Sequence, residues 1–106
     1  MDITTTETLP GRRITSLKGV AVGSTVRTKN IGKDIGAGLK SLVGGELKSY
    51  SDMLTEARAE ALSRMEEQAV ELGADALVNL RFMTSSVAAG ASEILAYATA
   101  VTTEAS

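Results

Sequence analysis

Residues 49–73 read SYSDMLTEARAEALSRMEEQAVELG, and the rest of the chain falls into place around them. Tyr50, Met53, Leu54, Ala57, Ala61, Met65, Ala69 and Leu72 recur mostly at intervals of three and four, which gathers them on one stripe of an α-helix. Ala, Glu, Arg and Leu dominate the stretch, and all are good helix formers. Ser49-x-x-Asp52 is of capping-box type and marks a start; Gly73, directly after Leu72, marks a stop. The pattern predicts a helix of about 23 residues, about 34 Å long at the standard rise.

Downstream, Ala76, Val78, Leu80 and Phe82 alternate with Leu77, Asn79, Arg81 and Met83, the pattern of a strand with one dry face. The run SSVAAGAS at 85–92 reads as a small-residue loop around Gly90. A last strand then carries Ile94, Ala96, Ala98 and Ala100 on one side and Leu95, Tyr97, Thr99 and Val101 on the other. Both sides are apolar or small, so both need cover. The helix supplies one cover, and a neighbouring subunit is the natural second; a homo-oligomer is expected on this ground.

Upstream, Pro10-Gly11 makes a turn after a short extended arm. Ile14, Ser16, Lys18, Val20 and Val22 then alternate with Arg13, Thr15, Leu17, Gly19 and Ala21 in a β-branched strand, where Gly19 and Gly23 suit bulges or close contacts. Between this strand and the long helix lies NIGKDIGAGLKSLVGGELKSY, residues 30–50, with five glycines and three lysines. It resembles a phosphate loop but fails both tests. The P-loop needs Gly followed directly by Lys, and here Leu39 separates Gly38 from Lys40. The dinucleotide fingerprint would place its third glycine at Ser41. Ile31, Ile35, Leu39 and Leu42 meanwhile keep helical period through the glycines, with Asn30 as N-cap and Gly44-Gly45 as the stop. Scaffold is the favoured reading: a short helix.

The 106 residues form one domain, 1–106. Aromatics are only 3% of the chain, so Ala, Val, Leu, Ile and Gly must fill the core, and each buries little area. Net charge is −2, from 11 basic and 13 acidic residues, which leaves no basic footprint for nucleic acid. Cys and His are both absent, which removes disulfides, thiolates, Cys/His zinc sites and imidazole acid–base catalysis. The N-terminal residues lack a secretory pattern, and no apolar run approaches the roughly 18 residues of a membrane span. A cytoplasmic protein with no membrane partner is expected.

Two candidate chemistries remain. Asp52, Glu56 and Glu60 lie at i, i+4 and i+8 on the long helix, with Glu67 and Glu71 further on. Such a row can hold a hard divalent cation, and more strongly when a ring of subunits brings several rows together. The competing reading is a solvated face, in which Glu60 and Arg64 have the favourable i,i+4 ion-pair orientation. For catalysis, neither S-x-x-K nor G-x-S-x-G occurs, and no catalytic residue is assigned. Arg81 and Asn79 offer polar groups for an anion; Met53, Met65 and Met83 read as core filler.

Several separated motifs agree with one known family. Gly19-Val20-Ala21-Val22-Gly23, DIGAGLKSLVGGELKSY at 34–50, Ala57-Arg58, Ala61, Met65 and LGADALVNLRF at 72–82 together resemble the YbjQ-like family, UPF0145 or DUF74, labelled a putative heavy-metal-binding domain. The resemblance runs from about Ile3 to Thr103. It implies an α+β subunit related in shape to dodecin, with a curved antiparallel sheet on one long helix plus a short helix. It also implies a ring-shaped homopentamer, in which the arm Asp2 to Thr6 pairs edges between subunits. The family pattern supplies no catalytic residues. The expected function is a non-enzymatic homo-oligomeric binding module for a metal or a small ligand. The alternative is a purely structural or protein-interaction module without a ligand.

Overall fold

The computed structural model describes residues 1–28 and 45–106. The short helix expected over Ile31 to Leu42 lies outside the described residues, as does the glycine–lysine stretch up to residue 44; its last six residues open the long helix. The elements in order are β1 (Asp2–Ile3), β2 (Arg12–Thr28), α1 (Gly45–Glu71), β3 (Ala76–Ala88) and β4 (Ala91–Ala105).

Helix α1 follows the apolar stripe of the sequence. Ala57, Ala61, Met65 and Ala69 are fully buried, one per turn, and Leu54, Leu62 and Leu72 flank them. The helix starts at Gly45, before the expected cap at Ser49, which therefore lies inside it. Its end matches the glycine signal. Gly73 adopts φ 79°, its N–H donates to the Val70 carbonyl at 3.0 Å, and the Ala74 N–H donates to that of Ala69 at 3.0 Å. This pair of bonds is a Schellman cap, which satisfies two of the helix's terminal carbonyls.

The four strands form one sheet in the order β1-β3-β4-β2. β4 pairs antiparallel with both β2 and β3, but β1 runs parallel to β3, with Asp2 opposite Ala76 and Ile3 opposite Leu77. The sheet is thus mixed, not antiparallel throughout. The arm expected to join neighbouring subunits lies against β3 of its own chain. A bulge makes that possible. Asn79 takes φ 57°, a left-handed conformation that Asn tolerates, and the register with β4 slips between Val78 and Arg81. The freed N–H groups of Asn79 and Leu80 donate to the carbonyls of Thr6 (3.0 Å) and Thr4 (2.9 Å).

The same bulge breaks the alternation read along β3. Val78 packs with Ala76, Val101 and Leu9 on the face away from α1, whereas Leu77 and Leu80 join the core under the helix. The loop expected at 85–92 is replaced by a continued hairpin. Ser85 pairs with Glu93, Ser86 with Ser92 and Ala88 with Ala91, leaving only Ala89 and Gly90 to turn, with Gly90 at φ 72°. Cross-strand pairing here overrides the weak strand propensity of Ser and Ala.

Gly19 and Gly23 both have structural reasons. Gly19, at φ 130°, sits where the β2–β4 register slips. At Gly23 the helix backbone lies directly on the strand: a Cβ there would stand 2.1 Å from the Ala61 carbonyl oxygen and 2.4 Å from the Met65 nitrogen. The core around this contact is built of small residues, with Ala21, Ala96, Ala98 and Ala100 facing Ala57, Ala61 and Ala69. The radius of gyration is 17.4 Å, against about 13 Å for a compact domain of this length. The principal extents of 56 × 22 × 16 Å show an elongated chain.

Candidate functional site

Each face of the sheet offers something different. On the helix side, Ile94, Ala96, Ala98 and Ala100 are buried, as their alternation along β4 predicts. On the other side β4 presents Leu95 and Tyr97, which are half-buried. Register places Val22 beside Tyr97, Met83 beside Leu95, and Val20 beside Thr99. Val20 is 63% exposed and Met83 56%. Met83, read as core filler, thus stands on an open face, while Met65 is fully buried in the core. Val20, Val22, Met83, Leu95 and Tyr97 form a largely apolar surface that no described element of the chain covers.

The carboxylate row behaves differently at its two ends. Asp52 and Glu56 are exposed on α1. Glu60 is engaged through both oxygens: Oε2 by Arg27 Nη2, and Oε1 by Arg64 Nη2 at 2.5 Å. The i,i+4 pair read from the sequence is therefore present, and β2 adds a second arginine to it. Among the described residues, no three carboxylates come together in a way that could hold a metal ion. Oxygen donors also suit hard cations rather than soft heavy metals. The described donor set of one chain does not fit a heavy metal.

Arg81 is occupied as well. Its Nη1 donates to the carbonyls of Thr5 (3.0 Å) and Leu80 (2.7 Å), fixing the N-terminal arm to β3. Two polar clusters escaped the sequence reading. Asp75 accepts from the Thr103 N–H at 3.1 Å and from its hydroxyl at 3.0 Å, and Arg12 Nε donates to that same hydroxyl at 2.6 Å. Gln68 and Arg64 reach from α1 to the backbone of β2: the Val22 N–H donates to Gln68 Oε1 at 2.5 Å, and Arg64 Nη1 donates to the Ser24 carbonyl at 2.6 Å. Nothing in local sequence spacing signals either contact, because the partners come together only when the sheet forms. Among the described residues, no helix is long and apolar enough to cross a membrane.

One long helix laid over one face of a four-stranded mixed sheet defines a small α+β domain of the DUF74 type. The same architecture occurs in the crystal structure of a protein of unknown function of the DUF74 family from Pediococcus pentosaceus, with a TM-score of 0.67 over 98% of each chain at 18% identity. The chain belongs to the UPF0145 family: the family model YbjQ_1, described as "Putative heavy-metal-binding", matches residues 1–104. It is 60% identical over 99 residues to a UPF0145 protein of Archaeoglobus fulgidus, covering 93% of this chain and 92% of that one. It is 57% identical over 101 residues to a UPF0145 protein of Vibrio campbellii, covering 95% and 97%. A UPF0145 protein of Methanosarcina acetivorans is 60% identical over 101 residues, covering 95% of each.

Proposed function

We propose that this chain is a non-enzymatic, self-assembling binding module, in which copies pack through the open sheet face and hold a small ligand between them. The observation that carries the reading is that face. Val20, Val22, Met83, Leu95 and Tyr97 give a domain with a small alanine-based core apolar surface to bury, and self-association recovers stability that the core alone supplies sparingly. A ring of five, the closure the family resemblance implies, and a cytoplasmic setting are parts of the same proposal. The absence of His and Cys from the sequence supports a non-catalytic role. A metal ion enters the reading only where carboxylates such as Asp52 and Glu56 of several copies meet, and they would favour a hard divalent cation.

Native mass spectrometry on untagged protein, purified without chelator, tests the proposal. A multiple of the chain mass carrying a reproducible non-protein increment is the expected result, and the increment identifies the ligand class. A bare multiple, unchanged by a panel of divalent metals, replaces ligand binding with a purely structural or protein-interaction role. A bare monomer overturns self-assembly.

A further inference from the structure

β2 is an outer strand of the sheet, and its central stretch, Gly19 to Val26, reads GVAVGSTV. It has no charge and no proline, and Val20 and Val26 are more than half exposed. An uncharged, β-branched edge of this kind is a ready template for another chain's strand. The nearest charges on the strand flank the stretch, at Lys18 and Arg27. Protection at its centre comes from the helix.

In an antiparallel sheet, residues alternate between pairs whose backbone groups point at the partner strand and pairs whose groups point away. Val22 and Ser24 are two residues apart on β2 and so share the second kind. The Val22 N–H is taken by Gln68 Oε1 and the Ser24 carbonyl by Arg64 Nη1, so two consecutive docking points on the outer edge are already filled. Arg64 is in turn held by Glu60, which Arg27 also holds. The brace therefore runs from α1 to β2 and back to α1.

We propose that Gln68 and Arg64 close the β2 edge of the sheet to strand addition by a second copy of this chain. These side chains act on chain–chain pairing, not on ligand binding, so the inference stands independently of the function proposed above. The paired substitution Gln68→Met with Arg64→Met removes both polar ends and keeps the side-chain stems. Light scattering should then show species heavier than the wild-type particle, growing with protein concentration, while far-UV circular dichroism at the assay temperature stays at the wild-type value. Gln68→Glu with Arg64→Lys, which keeps an acceptor and a donor, should hold the wild-type mass. An unchanged mass in the double Met variant with intact dichroism overturns the proposal. So does a mass increase that appears only in step with loss of folded signal, since the two residues would then merely stabilise the subunit.

Discussion

Gly23 carries more of this fold than its size suggests. The atoms that a Cβ would meet, the Ala61 oxygen and the Met65 nitrogen, are backbone, and they cannot swing aside as the end of a side chain can. Gly23→Ala should therefore cost about 3 kcal/mol, the upper part of the range for overpacking, read from urea denaturation. A loss below about 1 kcal/mol would mean that α1 rides more loosely on β2 than described. Met65, the largest side chain of α1 with no exposure, sits beside this contact; Met65→Ala should cost about 2–5 kcal/mol by leaving a cavity among alanines too short to fill it. Glu60 is a milder case. It is about one third exposed (33%) and paired with two arginines, so Glu60→Gln should cost no more than about 1 kcal/mol, and the loss should shrink as salt is raised.

At the scale of elements, Gly73 tests how firmly the cap ends α1. Nothing lies within 4 Å of a Cβ built there, so only the backbone at φ 79° resists a side chain. Gly73→Ala should cost about 1 kcal/mol and Gly73→Asn less, in thermal unfolding of the two variants. This is also where reading the sequence succeeded: apolar spacing from Tyr50 to Leu72 and one glycine are local signals, and they located the buried stripe and its end. Local signals failed where a partner strand decides the outcome. Ser85 and Ser86 look like loop residues until Glu93 and Ser92 stand opposite them. The bulge at Asn79 is likewise invisible until the N-terminal arm takes its two outward N–H groups, and the parallel pairing of β1 with β3 has no local signal either. Of the candidate site, the Glu60–Arg64 pair was legible because both residues lie on one helix; Arg27 was not, because it arrives from another element.

For the whole molecule, the proposed self-assembly turns on the sheet face opposite α1. Val20→Lys with Met83→Lys places two charges on it at sites already more than half exposed, so the subunit itself should remain folded. Native mass spectrometry should then show a smaller copy number than wild type, with far-UV dichroism unchanged. An unchanged copy number would move the subunit contact to another surface. The two-sided apolar pattern of β4 pointed to this face from sequence alone; the mixed sheet order and the 56 Å length required the three-dimensional pairing.

The place of β4 in the sheet also sets the order of events during synthesis. β4 lies between β2 and β3, yet it follows both in the chain, and it pairs Thr28 with Ala91 and Arg12 with Ala105. While the ribosome is still making α1 and β3, β2 lacks β4, its one partner among the described strands, and the run Gly19 to Val26 has none of the bonds that join it to β4. Among the described residues, every strand pairing of β2 waits for β4, which begins at Ala91. Contacts of such long range are slow to close, so the interval before closure is when the unpaired edge of β2 is most open to aggregation.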